Sequence, residues 1–283
     1  MRAVVLMVVA MSCIVAGDTA GKLLTQAGFA PVFVAWSRFA VAAVVLAPLC
    51  GVKRGEWAAF ADWRVILRAA LVAGGIASIL TAFRTVPLAD AFAAFFIGPV
   101  VSYVLSILFL RERVSLRRSA LLALSFAGVL VVVRPGFGMV DGIEFAVLAG
   151  VFYGGYLVAT RAVAQVYRPR FLLISQLAVG AVLLAPLAWE PVPEIGPAQG
   201  GLLLASALAS AAGNLILVIV NRTTPASVVA PLVYTQLLAA TVAGWLVFGD
   251  CPDAVVWLGL FLIVGAGVAS VRVAGRERPA LDR

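Results

Sequence analysis

Residues 39–49 read FAVAAVVLAPL and residues 177–187 read LAVGAVLLAPL. The two stretches match at eight of eleven positions, and they lie 138 residues apart with no gap. The same offset places Arg84-Thr85-Val86-Pro87 on Arg222-Thr223-Thr224-Pro225, Gly75 on Gly213 and Arg134 on Arg272. Apolar helices of low complexity produce chance matches, so the prolines and arginines that coincide at one fixed offset carry the inference. The chain is a tandem duplication.

Composition says what was duplicated. Of 283 residues, 64% are hydrophobic and 12% charged, and the mean hydropathy is +1.11. A soluble domain carries about 25% charged residues, so this chain has lipid as its solvent. At about 20 residues per spanning helix, the length holds about ten helices and leaves no room for a separate soluble catalytic or nucleic-acid-binding domain. Apolar runs bounded by charge, Gly or Pro fall at 3–25, 31–50, 64–84, 87–110, 117–134, 143–162, 170–188, 199–221, 225–248 and 253–272. The run after Arg2 lacks a small-residue cleavage site at signal-peptide distance and reads as a retained first helix.

The net charge of +8 would suggest a nucleic-acid partner in a soluble protein; here its positions matter more. With a cytoplasmic N-terminus, the inner segments and helix ends collect 17 Lys and Arg residues, Arg68 among them. The outer side gets Lys22, Arg84 and Arg134, and Arg38 is left inside a span. The positive-inside rule then puts both termini in the cytoplasm of a bacterial-type inner membrane. The charge is a topology signal and needs no nucleic acid to explain it.

Each unit holds five spans, an odd number, so the second copy enters the membrane from the opposite side. Inverted repeats of this kind are the organisation of secondary transporters. The expected fold is an all-α integral membrane protein of ten transmembrane helices in two inverted five-helix repeats, residues 1–137 and 138–275, with a cytoplasmic tail at 276–283.

Several motifs resemble a known family. Leu110-Arg111-Glu112-Arg113-Val114-Ser115-Leu116, followed by Ala127-Gly128-Val129 and Arg134-Pro135-Gly136, resembles the end of the EamA repeat in the drug/metabolite transporter superfamily. Leu88-Ala89-Asp90-Ala91 with Pro99 is similar to its fourth helix, and Tyr234-Thr235-Gln236-Leu237 with Gly244-Trp245 and Phe248-Gly249-Asp250 is similar to its ninth. Asp18 with Lys22, and Arg38, resemble a subgroup of these carriers. The resemblance implies ten helices, an inward N-terminus and a central substrate cavity. The family's substrates are diverse and move in either direction, so no substrate is inherited. Where the family often has Glu after the ninth helix, this chain has Asp250.

Ionisable groups inside a span are costly and read as functional by default. Asp18 and Arg38 lie at similar depth on two helices joined by a short loop, so they can meet. They form a structural ion pair, or they line a cavity where the pair binds a charged substrate end or opens on protonation of Asp18. Lys22, at i+4 from Asp18, shares its face one turn nearer the outside. On the repeat offset Asp18 falls on Tyr156 and Arg38 on Gln176, charged in one half and neutral in the other. Tyr156, Tyr234 and Gln236 are further wall candidates, because a buried hydroxyl or amide in lipid needs a partner. Gly17 and Gly21, like Gly150 and Gly154, have GxxxG spacing that admits a close helix. Asp90 reads as a helix-start carboxylate beside Pro87 facing Arg84, and Glu112 as charge balance in a basic turn. Pro99, Pro225 and Pro231 can bend or start helices four and nine.

No histidine is present, and Cys13, Cys50 and Cys251 are far apart. A Cys/His zinc site, a His-dependent triad and a disulfide framework are therefore disfavoured, and no cofactor or metal is expected. No phosphate-binding glycine loop appears, which disfavours ATP-driven transport. The expected function is a secondary carrier, not an enzyme, moving a small organic metabolite, amino-acid-like or a charged or zwitterionic aromatic compound, by alternating access. Proton coupling and a homodimer are both compatible with the chain. The alternatives are efflux of toxic compounds, a membrane-embedded lipid-modifying enzyme, and a non-transporting scaffold.

Overall fold

The computed structural model describes residues 2–110, 116–133, 140–164, 166–189, 192–223, 233 and 235–277. The described residues outside loops and turns are helical: α1 (Arg2–Gln26), α2 (Pro31–Cys50), α3 (Trp63–Ala82), α4 (Leu88–Phe95), α5 (Gly98–Leu110), α6 (Leu116–Val133), α7 (Ile143–Val163), α8 (Pro169–Leu184), α9 (Pro197–Thr223), α10 (Thr235–Ala243) and α11 (Ala254–Glu277). Among the described residues, seven helical segments are long and apolar enough to cross a membrane, α4 and α5 counting together as one. Three shorter apolar segments lie at Ser119–Val132, Thr235–Phe248 and Ala254–Ala266. This is a multi-pass membrane protein.

Helix boundaries follow local chemistry. Pro31 and Pro169 open α2 and α8, where a missing N–H costs nothing and the fixed φ suits a first turn. Asp62 caps α3 by accepting from the Arg64 backbone N–H at 2.9 Å. Gly51 ends α2 at φ 54°, a conformation that favours a residue without Cβ. The connection between α2 and α3 contains two short 3-10 turns, Arg54–Glu56 and Ala58–Ala61.

The apolar run at 87–110, read as one span that Pro99 can bend, is broken between α4 and α5 at Phe96 and Ile97. Pro99 has no N–H to give the Phe95 carbonyl. The break is pressed against α7 at glycines: a Cβ on Gly98 would stand 2.9 Å from the Gly150 carbonyl oxygen, and one on Gly154 would stand 2.6 Å from that of Gly98. Gly150 and Gly154 are thus a packing notch. The run at 225–248 is described at 233 and from 235 onward, and there α10 passes into a π-helical turn, Gly244–Phe248. Arg111, Glu112, Arg113, Arg134, Pro225, Pro231 and Tyr234 lie outside the described residues.

The helices pack in matched pairs. α1 lies along α9 as α3 lies along α7; α2 meets α9 as α8 meets α3; α2 meets α8, and α6 meets α11. Gly75 and Gly213 sit at the first two of these seams, beside Phe152 on α7 and beside Ala10 and Ile14 on α1. One apolar core runs through the bundle and includes Phe39, Phe83, Phe92, Phe96 and Leu177.

Candidate functional site

Asp18 and Arg38 meet in the interior. Asp18 lies eight residues before the end of α1 and Arg38 seven residues after the start of α2, about 11–12 Å from the same end of the bundle at 1.5 Å per residue. Arg38 Nη1 donates to Asp18 Oδ1 at 2.7 Å, and the two side chains are 4% and 7% exposed. Nη2 donates to the Ser210 hydroxyl on α9. Arg38 Nε, also buried, has no hydrogen-bond partner.

Glycine on α1 allows this contact with α9. A Cβ on Gly17 would stand 3.0 Å from both the Ser206 carbonyl oxygen and the Ser210 nitrogen. In its absence the Ser206 hydroxyl donates to the Gly17 carbonyl at 2.8 Å. Gly17 is therefore the notch into which the serine face of α9 fits, while Gly21 lies chiefly against Leu80 of α3. Ser206, Ser210 and Asn214 recur every four residues on that face, a polar stripe that helical spacing places in line.

The second half carries a parallel arrangement. Gln176 is the eighth residue of α8, as Arg38 is of α2. The Tyr156 hydroxyl donates to Gln176 Oε1 at 3.2 Å. The Asp18–Arg38 and Tyr156–Gln176 bonds both join residues 20 apart, at positions related by the repeat offset.

Behind Tyr156 lies Arg68, counted from the sequence among the charges of the inner segments and helix ends. It is wholly buried, because five residues of helix carry it inside and α7 and α8 close over it. Its Nε donates to Thr160 Oγ1 at 2.9 Å, Nη1 to the Leu172 carbonyl at 2.8 Å and Nη2 to the Tyr156 hydroxyl at 3.0 Å. The guanidinium also sits 4.9 Å from the centroid of the Tyr156 ring.

Between the halves is a cavity of about 20 Å³, lined by Arg38, Gln176, Ser210 and Asn214 and by apolar residues that include Phe39 and Ile76. It has room for about one water.

Lys22 takes partners of its own. One turn nearer the end of α1 than Asp18, its Nζ donates to the Val86 carbonyl at 3.1 Å and to Asp250 Oδ2 at 3.3 Å, and stands 4.6 Å from the Phe248 ring centroid. It ties α1 to the turn before α4 and to the turn after α10. Asp90, in the first turn of α4, lies close enough to Lys22 to act on it electrostatically. Gln236 is buried in the first turn of α10 and is not among the cavity-lining residues.

The opposite end has a second tie. Arg168 donates from Nε and Nη2 to the two Glu56 carboxylate oxygens, each at 2.6 Å, and from Nη2 to the Gly51 carbonyl at 3.1 Å. The Tyr167 hydroxyl donates to Asp62 at 2.8 Å. Hydrogen bonds from the Arg64 side chain, its backbone N–H and Tyr167 hold the Asp62 carboxyl down to about 2. The Arg168 hydrogen bonds hold Glu56 below the ordinary carboxylate range.

A multi-pass helical bundle with paired polar groups around an interior cavity describes a membrane carrier, and the relatives of the chain agree. The EamA-like transporter family matches residues 1–134 and again residues 141–271. The chain belongs to this family. It is 29% identical to a riboflavin transporter of Rhizobium johnstonii over 221 residues, 74% of this chain and 70% of that one. It is 32% identical to the pseudopaline exporter CntI of Pseudomonas aeruginosa over 197 residues, 68% of each chain. A chain of known crystal structure, 16% identical, superposes with a TM-score of 0.69 over 97% of this chain and 98% of its own, which speaks for the fold alone. The protein is a membrane transporter of small molecules and not an enzyme.

Proposed function

We propose that the chain is a secondary carrier built of two inverted five-helix repeats, with both termini in the cytoplasm of a bacterial-type inner membrane. It moves a small organic metabolite by alternating access around the Arg38 cavity. The observation that carries this reading is the pair of repeat-related hydrogen bonds, Arg38 to Asp18 and Tyr156 to Gln176, flanking one cavity between the halves. The exchanged helix pairings and the two successive family matches support the repeat.

In alternating access the Lys22–Asp250 tie closes the outer end and the Arg168–Glu56 tie the inner end. Both ties are made in this structure, and the cavity between them holds about one water. In this reading any larger substrate enters only after one tie breaks and the halves tilt apart. Asp18 is the coupling group: when it takes a proton, Arg38 loses its counter-charge and is released to the substrate.

The test is transport by Asp18→Asn in proteoliposomes with an imposed pH gradient. The carrier is expected to stay folded and lose coupled uptake. Unchanged uptake with unchanged pH dependence would remove Asp18 from the mechanism. Export is the second reading, favoured by the likeness to the pseudopaline exporter. Loading the same vesicles from inside separates the two directions.

A further inference from the structure

Among the described residues, four charged side chains are buried: Asp18, Lys22, Arg38 and Arg68. Lys22 is paired with Asp250 and Arg38 with Asp18. Arg68 is held by a threonine hydroxyl, a backbone carbonyl, a tyrosine hydroxyl and a ring face, none of which carries charge. An ion in a low-dielectric interior needs a counter-charge as well as hydrogen bonds. Among the described residues one buried positive charge is therefore left over.

A second observation points to the same place. Arg38 Nε is, among the described residues, the buried side-chain nitrogen or oxygen that lacks any partner, and Arg38 lines the cavity. Gln176 lines it too, and through Gln176 and Tyr156 a hydrogen-bonded chain runs back to Arg68. The surplus charge reaches the cavity through Gln176, and the unsatisfied donor belongs to Arg38, another residue of the same cavity wall. A neutral carbonyl could occupy the donor but leaves the charge; a cation adds to the excess. An anionic oxygen answers both.

We propose that the substrate is a small organic carboxylic acid, carried as its anion, whose carboxylate docks on Arg38 in this cavity while Arg68 balances its charge through Tyr156 and Gln176. The assignment deepens the carrier reading and rests on it. Arg38 is the binding residue and Arg68 a positioning residue that acts through the tyrosine. The cavity has room for about one water, less than a carboxylate, so the acid's head docks on Arg38 only as the halves part and its body sits in the space that opens.

The experiment is thermal unfolding of the purified full-length carrier with acids and their matched primary amides: benzoate and benzamide, nicotinate and nicotinamide, succinate and succinamide, N-acetylphenylalanine and its amide. At least one acid is expected to raise the melting temperature while its amide does not. Arg38→Gln is expected to abolish the shift, and Arg68→Gln to weaken apparent affinity about tenfold or more. Arg68→Lys keeps the charge and is expected to restore part of that affinity, which separates charge balance from folding. Stabilisation by amides with the acids silent would overturn the acid and leave a carrier of neutral compounds. An acid-induced shift that survives both Arg38→Gln and Arg68→Gln would overturn the site. No shift with any acid or amide would overturn the acid assignment and count against a small-molecule carrier as well.

Discussion

The two halves of the molecule place bonded pairs at equivalent positions with different chemistry. In the first half the pair is a carboxylate and a guanidinium; in the second it is a phenol and an amide. The helix pairings match between the halves while the paired side chains differ. In the cycle we propose, one half supplies charge and the other orients the substrate. The second half is not free of charge, however: its tyrosine is tied to Arg68, which comes from α3 of the first half.

Breaking the charged pair gives the largest effect. Asp18→Ala leaves Arg38 buried without its counter-ion and is expected to cost about 3–5 kcal/mol, read as a lower melting temperature of the purified carrier. Tyr156→Phe, the corresponding insult to the neutral pair, removes one hydroxyl from between Arg68 and Gln176. It is expected to cost about 1–3 kcal/mol, the penalty for unsatisfied buried polar groups. If the two variants lose the same amount, the asymmetry of charge does not matter energetically.

The smallest effect belongs to the tie at the Arg168 end and depends on pH. Asp62 is held down to about 2 from an ordinary 3.8, so in the folded protein it stays ionised where the unfolded chain would bind a proton. Its stabilising contribution is complete above 3.8 and disappears as pH falls through that window towards about 2. Melting curves of wild type and Asp62→Asn should therefore differ by a constant amount near neutral pH and converge on acidification. A difference that grows with acid would contradict the assignment.

Much of this architecture was legible because membranes simplify sequence. An ionisable residue in an apolar run stands out, so Asp18 and Arg38 could be paired by depth alone, and the repeat offset led from them to Tyr156 and Gln176. Arg68 was not singled out as a site residue. An arginine five residues from a helix end can reach the interface or turn inward, and charge counting does not distinguish the two; only packing by α7 and α8 decides. The serine stripe on α9 was visible as Ser206, Ser210 and Asn214 at four-residue spacing, but serines are common in membrane helices and do not announce a guanidinium. The pairing of Lys22 with Asp250 spans 228 residues, and no local pattern encodes it. The break at Phe96 was foreshadowed by Pro99, whereas its seat on Gly150 and Gly154 depends on which helix lies opposite.

The most direct test of alternating access concerns the cavity wall. Ala211 lines the cavity without a polar role of its own. In a carrier whose native Cys13, Cys50 and Cys251 are replaced by serine, Ala211→Cys would be challenged with an impermeant thiol reagent in right-side-out and inside-out membrane vesicles. Alternating access predicts labelling from each side, slowed by a compound that binds at Arg38. Labelling from one side only, or from neither, would contradict it.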